Sequence, residues 1–588
     1  MAAASPLTIP AMPAQVVRVG PHRGLACVIT SVALAAGCFA SLHVLGALNL
    51  LFGFPAITPN LVMLASVAGT GLAALLLHKS GAIDVSELTQ SRRVRPFKAV
   101  KIIIALAALP YVALFLIGLC SFPNGWDALA YHIDTALKWL QNGTLRVNPA
   151  LGWQYSLPSN GELPALIALS AGMPGAVAIG NLFAAVLLAA SVYLIAWRIT
   201  RQTAPSLLAA VVAITLPMVI CQAFQLFVDM FGTAYLMAAV ALLIWRERKP
   251  LLFTFLSGCA AGIAIGSKPI FWIYAAIFVV VSVGTILAAN RQRLQALLLL
   301  VGGMILLSGF WFFRAAAATG NPVYPMQVSI GQHVVFPGYA RTAYQSDGFR
   351  TFSQVLTEPW LDPPLLPWLR ESLPSSVSGT GPLFAAIAVP GVLFLGLQAF
   401  RRRVKPIEGA LLLATAAAFV LWDTNLLRVL RFGLPVMILF CTLAASMIRT
   451  LLHQSRRLLI LLLVMGVLLN SLYCLTEPAQ RIVHRIQRHD WSRATYYGYP
   501  PIIDQLPPGT RILDRTGWGR TFMLAGVRLT NYVLPQGDPR SVDYVVKAGP
   551  SDADDAALRS IGATLIYDAT PPALYAGIGP PWRVYRVH

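Results

Sequence analysis

Thirteen runs of apolar residues, each near the roughly 20 residues a helix needs to cross a bilayer, leave this chain little choice of fold. They lie near residues 24–48, 57–77, 102–120, 174–197, 205–222, 229–245, 251–267, 270–288, 296–313, 381–399, 407–421, 432–448 and 456–474. Inside hydrocarbon every backbone N–H and C=O must be hydrogen-bonded within the protein, so runs of this kind become helices. With 57% hydrophobic and only 11% charged residues, the chain is too apolar for a soluble globular fold. Its net charge of +21 would suit a nucleic-acid binder, but the basic residues cluster in short gaps between apolar runs. Membrane topology explains them instead, and no nucleic-acid partner is expected.

Placing the N-terminus inside puts Arg92, Arg93, Arg95, Lys98, Arg198, Arg201, Arg246, Arg248, Lys249, Arg291, Arg293, Arg401 to Lys405, Arg456 and Arg457 on the cytoplasmic side. The expected organisation is then an all-α polytopic membrane protein with a small extramembrane α/β domain. Residues 1–23 form a cytoplasmic tail without the pattern of a cleaved signal. Residues 24–100 form a helix pair and a basic loop, and 101–475 a transmembrane core with outer loops 121–161 and 314–381. Residues 476–588 form the outer domain, where β-like runs at 511–513, 542–546, 564–567 and 582–585 alternate with a helical stretch at 552–561. Seven cysteines without CxxC spacing read as small core residues.

The first outer loop carries the most unusual polar set. After a turn at Asn124-Gly125, Trp126, Leu129, Ile133, Leu137 and Leu140 recur at helical spacing, which predicts an amphipathic helix lying along the membrane interface. Asp127, Tyr131 and Asp134 then share one face. Asp127 is placed either to cap this helix or to act as a base at the surface where lipid-linked substrates arrive. His132 has no second histidine at ligand spacing and reads as a hydrogen-bonding residue rather than a metal ligand. Cations near outer helix ends, Lys268, Arg314, Arg428 and Arg431, are available to a leaving phosphate, or simply snorkel to the interface. Proline and aromatic residues dominate 314–382, which reads as a substrate lid or as an interfacial loop anchored by Trp360 and Trp368.

Two of these segments carry a resemblance. Trp126-Asp127-Ala128-Leu129-Ala130-Tyr131-His132, followed by Trp139-Leu140-Gln141-Asn142-Gly143, resembles the first-loop signature of a branch of the GT-C glycosyltransferases, the multi-spanning enzymes that use lipid-phosphate-linked sugars. Arg314 to Thr319 followed by Gly320-Asn321-Pro322-Val323-Tyr324-Pro325 resembles a motif that the aminoarabinose transferase and protein O-mannosyltransferase families carry after a later helix. The resemblance spans about 101–474 and treats the first two helices as additions.

It implies a glycosyltransferase that moves a sugar from a polyprenyl-phosphate donor to a glycan, lipid or protein acceptor on the periplasmic face of a bacterial inner membrane. It implies Asp127 as catalytic base and a substrate-binding set of Tyr131, His132, Glu162, Asp229, Lys268, Arg314, Asn321, Tyr324 and Arg431. Asp229 matches a second family acid that orients an acceptor, binds a metal or merely caps its helix. Glu162 matches a third, equally open. No cofactor is certain; a divalent cation, magnesium or manganese, is the one compatible with the resemblance. A transporter or lipid flippase would need charges deep in its helices and a duplicated plan, neither of which is evident. A surface-polysaccharide ligase or polymerase would leave the paired motifs unexplained.

Overall fold

The computed structural model describes residues 22–83, 97–119, 123, 125, 127–148, 151–289, 292–338, 379–424, 430–516, 521–549, 552–569 and 581–588. The membrane part consists of α1 (His22–Phe52), α2 (Pro59–Ser80) and α3 (Lys98–Leu119), then, after the first loop with α4 (Ile133–Asn142) and α5 (Leu163–Ser170), a continuous bundle. That bundle comprises α6 (Ile179–Thr200), α7 (Thr203–Ile214), α8 (Pro217–Gln222), α9 (Val228–Ile244), α10 (Pro250–Ile265), α11 (Ile270–Ala289) and α12 (Arg293–Thr319). It is completed by α13 (Val389–Phe400), α14 (Pro406–Thr424), α15 (Leu434–Leu443), α16 (Ala445–Gln454) and α17 (Arg456–Arg488).

The protein is a multi-pass membrane protein. Among the described residues nine helices are long and apolar enough to cross a bilayer, and α7, α9, α10 and the apolar part of α14 are shorter apolar helices. Each of the thirteen apolar runs falls on one of these elements. The run at 205–222 is divided, because Pro217 starts α8 where α7 has ended.

Lipid offers no hydrophobic drive between helices, so close packing by small residues takes its place. Gly258 and Gly262 of α10 meet the α12 backbone so closely that an added Cβ would lie 2.2 Å from the Leu300 carbonyl oxygen and 2.6 Å from that of Met304. Helix α1, one of the two helices expected as additions, packs on α6, α10 and α12. Its buried His43 reaches Asn160 Oδ1 at 2.9 Å, which ties it to the first outer loop.

The C-terminal domain is a mixed sheet of order β4-β3-β5-β7-β6, built from β3 (Arg511–Arg515), β4 (Tyr532–Leu534), β5 (Tyr544–Ala548), β6 (Thr564–Ala569) and β7 (Trp582–Arg586). Strands β4 and β5 flank β3 in parallel, while β7 runs antiparallel to both β5 and β6. The four expected runs all become strands. β4 is additional, and with three residues it is too short to show a pattern. Helix α17 runs on past the expected boundary at 475, through Pro478 to Arg488. The loop after α12 begins with a hairpin, β1 (Val328–Ile330) and β2 (His333–Phe336). Its expected lid, with Trp360 and Trp368, lies outside the described residues, as does Arg428.

The first loop departs from its expected form. Residues 128–132 make a π turn in which the Ile133 N–H donates to the Ala128 carbonyl, before α4 begins. The expected solvated polar face of α4 is covered: Asp134 and Lys138 are 0% and 1% exposed beneath the C-terminal domain. Tyr155 OH donates to Asp134 at 2.6 Å, Thr521 Oγ1 donates to the Ala130 carbonyl at 3.2 Å, and Gln141 Nε2 donates to the Leu529 and Asn531 carbonyls at 3.1 and 3.0 Å. Lys138 Nζ lies 4.2 Å above the Tyr532 ring. Burial pushes the Asp134 carboxyl above its ordinary range against the pull of Lys138, and pulls Lys138 below its own. The helix is therefore a clamped layer between bundle and domain rather than a free interfacial helix.

Replacing Gly262 with leucine should lower stability by about 1–3 kcal/mol through overpacking. Gly302→Leu serves as the control, because an added Cβ there meets nothing within 4 Å. Thermal unfolding of both variants in detergent checks this; equal unfolding temperatures would mean that the α10–α12 contact does not depend on the glycine.

Candidate active site

Four charged side chains converge where α9, α11 and α15 begin beside the π turn. Asp127 stands at the start of that turn, and its Oδ2 lies 2.6 Å from Arg431 Nη2. Tyr131 OH donates to the same oxygen at 3.3 Å. Arg431, in the 3₁₀ turn Leu430–Gly433 ahead of α15, also reaches toward Asp229, with Nε 3.7 Å from Asp229 Oδ2. Lys268, just before α11, donates from Nζ to Asp229 Oδ1 at 2.9 Å. Two carboxylates and two cations thus alternate in one line.

The line is graded in depth. The Asp127 and Arg431 side chains are 13% and 20% exposed, while those of Asp229 and Lys268 are 2% and 9% exposed. Burial opposes ionisation of Asp127, but Arg431 and Lys268 outweigh it and hold the carboxyl below the ordinary value of 3.8. Arg431 Nε and Asp229 Oδ2 are both buried and have no hydrogen-bond partner. Buried polar atoms without a hydrogen bond are uncommon, and these two face each other only as an ion pair at 3.7 Å.

Asp229 is placed by a set of amides that sequence reasoning missed. Asn181 Nδ2 donates to the Gln222, Gln225 and Phe227 carbonyls, each at 2.8 Å, and Gln222 Oε1 accepts from the Met230 N–H at 2.8 Å. The signal was available, since a lone asparagine inside an apolar run needs a partner.

Beside the cluster, His132 Nδ1 lies 2.5 Å from Glu162 Oε1, and the His132 ring packs 4.1 Å from that of Tyr131. The turn carrying Glu162 sits against α9, where a Cβ on Gly161 would come 2.3 Å from Val228 Cγ1. Its neighbour Asn160 joins three helices: Oδ1 meets His43 of α1 at 2.9 Å and accepts from Trp311 Nε1 of α12 at 2.7 Å, and Nδ2 donates to the Leu307 carbonyl of α12 and the Ile263 carbonyl of α10 at 2.7 and 3.2 Å.

The structure therefore gathers Asp127, Tyr131, Asp229, Lys268 and Arg431, with His132 and Glu162 adjoining. It does not bring Asn321 or Tyr324 to them, and Arg314 lies within electrostatic reach of Glu162 alone among them. Arg314 is fully buried and donates to the Leu145, Tyr155 and Leu157 carbonyls at 3.3, 3.3 and 2.9 Å, pinning the first loop. Asn321 Nδ2 donates to the Met326 and Pro337 carbonyls, both at 2.8 Å, and Tyr324 lies in the same turn, its N–H donating to the Asn321 carbonyl. Asp134 turns away to Tyr155, because the i→i+5 bonding of the π turn rotates α4 from the direction a continuous α-helix would give it. Among the described residues no three His, Cys, Asp or Glu side chains converge as metal ligands; Asp127 and Asp229 are matched by Arg431 and Lys268.

No family model matches the chain, and no curated protein matches it in sequence. Among solved structures it aligns with ArnT, the aminoarabinose transferase of Cupriavidus metallidurans, in the apo state, at TM-score 0.52 and 14% identity, over 83% of this chain and 98% of that one. The chain shares the fold of that structure. ArnT bound to undecaprenyl phosphate aligns at TM-score 0.46 and 14% identity, over 82% and 98% of the two chains. The Archaeoglobus fulgidus oligosaccharyltransferase tethered to an acceptor peptide aligns at TM-score 0.40 and 13% identity, over 76% and 69%. ArnT and the oligosaccharyltransferase are GT-C glycosyltransferases.

A carboxyl held below 3.8 contributes stability that is fully present above that ordinary value and is lost as pH falls through its lower folded value. The unfolding-temperature difference between the parent and Asp127→Asn should accordingly stay constant from about pH 8 to 5 and shrink only below about pH 4. Thermal scans across that range check it; a difference that fades between pH 8 and 6 would mean that the Asp127–Arg431 pair is not formed.

Proposed function

We propose that this protein transfers a sugar from a polyprenyl-phosphate donor to an acceptor hydroxyl at the periplasmic face of the inner membrane, with Asp127 as general base. The observation that carries this reading is the guanidinium of Arg431 shared between Asp127 and Asp229 at the mouth of the site, in a GT-C fold. The donor's phosphodiester offers Arg431 and Lys268 two non-bridging oxygens to compete with the carboxylates they hold, and a third oxygen and further charge as the sugar leaves. Drawing Arg431 toward phosphate loosens its hold on Asp127 and restores that carboxylate's basicity.

Asp127 then takes the proton of the acceptor hydroxyl, the acceptor oxygen bonds to the anomeric carbon, and the bond from that carbon to the phosphate oxygen breaks. The electron pair leaves with the polyprenyl phosphate, whose charge Arg431 and Lys268 meet. One base and a single displacement imply inversion at the anomeric carbon. Tyr131 orients Asp127, and the His132–Glu162 pair supports Tyr131 from behind. The C-terminal domain holds the layer that carries Asp127 and faces the periplasm with it.

Asp127→Asn should cut transfer from a polyprenyl-phosphate-sugar pool by roughly 10²–10⁴-fold, the usual worth of a general base. Folding and donor binding, measured separately in detergent, should be retained. A variant as active as its parent would place the base elsewhere. Lys268→Gln should act differently, raising the KM for the donor more than it lowers kcat.

A further inference from the structure

Beneath the acid–cation cluster, four helices enclose a second space that the transfer reaction does not use. Helices α9, α11, α14 and α15 form a closed ring, each touching its neighbours, around a cavity of about 520 Å³. That volume is within the range of small-molecule sites. Its walls are apolar, with Met237, Val240, Phe278, Val281, Ala414 and Leu439 among them. A sugar, nucleotide or peptide placed there would lose its hydration without compensating hydrogen bonds. A hydrocarbon chain would not.

The two ends of the cavity differ. At one end Tyr274 OH donates to the Phe432 carbonyl at 2.7 Å, and the ring of Phe432 carries the Lys268 ammonium 4.6 Å above it. The floor of the active site is thus the roof of the cavity. At the other end the rim is polar and basic, formed by Arg198, Arg246, Glu247 and Thr285. Arg246 Nη2 donates to the Thr285 carbonyl at 2.6 Å, which fixes its guanidinium at the rim. Arg198 pairs with Glu247 at 2.7 Å, but the Glu247 side chain is 72% exposed, so a competing anion can displace it. Two more cations stand at the same end: Arg201 stacks on Trp197, and Lys405 Nζ donates to the Ile199 carbonyl.

We propose that this cavity binds one membrane phospholipid with an anionic headgroup, an acyl chain inside the ring and the phosphate at Arg198 and Arg246. Basic openings between membrane helices suit anionic headgroups. The polyprenyl donor fits less well. Its phosphate belongs at Arg431 and Lys268, on the far side of the Tyr274–Phe432 hydrogen bond. A chain filling the ring supports α15 and, through Phe432, the turn that presents Arg431, so the lipid is a structural partner of the site and not a substrate.

The test is native mass spectrometry of the full chain in detergent, with phosphatidylglycerol, phosphatidylcholine and undecaprenyl phosphate added separately and in competition. The expected result is one phosphatidylglycerol per chain, retained roughly tenfold or more over phosphatidylcholine given two arginines at the headgroup, and not displaced by undecaprenyl phosphate. Ala414→Trp, which fills the ring, should abolish retention. Arg198→Gln combined with Arg246→Gln leaves the ring open and should erase the preference between the two phospholipids, so it decides the matter should the tryptophan variant fail to fold. Equal retention of both phospholipids by the parent, an unchanged preference in the double variant, or displacement by undecaprenyl phosphate would each overturn the proposal.

Discussion

Placing two carboxylates at the boundary of a bilayer is costly unless cations stand beside them, and Arg431 meets that demand for both Asp127 and Asp229 at once. Its guanidinium joins the first outer loop, the start of α9 and the turn before α15, segments far apart in sequence. Lys268 adds the start of α11. Arg431 and Asp229 each face two opposite charges, so the loss of Asp127 or Lys268 still leaves both with a partner. Because Arg431 Nε and Asp229 Oδ2 remain without hydrogen-bond partners, the arrangement is balanced in charge yet incomplete in bonding.

The surrounding structure exists to hold those ends in place. Asn181 fixes the segment leading to Asp229, Asn160 ties the Glu162 turn to three helices, and Arg314 secures the first loop by its carbonyls. The glycines of α10 let α12 approach closely enough for Asn160 to reach the Leu307 carbonyl. From the other side the C-terminal domain presses on the π turn through Thr521 and on α4 through Leu529 and Asn531. Asp127 is thereby held between the bundle and the C-terminal domain, as its proposed role as a base would require.

Much of this was legible in the sequence, for a physical reason. Hydrocarbon forbids unpaired backbone, so apolar runs of the right length can only be helices, and a charge beside them needs a purpose. Asp127, Asp229, Lys268 and Arg431 stood out on that ground and meet in the fold. Arg314 stood out equally, but a buried arginine looks the same in sequence whether its donors face phosphate or carbonyl oxygens. The π turn at 128–132 has no sequence signature, and it sends Asp134 into the interface with the C-terminal domain. The spacing Gly258 to Gly262 was a readable sign of close helix approach. The burial of Lys138 was not readable, since its partner Tyr532 lies in a strand too short to recognise.

The proposed mechanism turns on Arg431 passing from carboxylate to phosphate when the lipid donor arrives. The most direct measurement is a cryo-electron-microscopy structure of the full chain with undecaprenyl phosphate, resolved well enough to place side chains. The phosphate should lie within hydrogen-bond distance of Arg431 and Lys268, with the Asp127–Arg431 pair opened beyond 2.6 Å. A phosphate bound elsewhere, with that pair still closed, would contradict it.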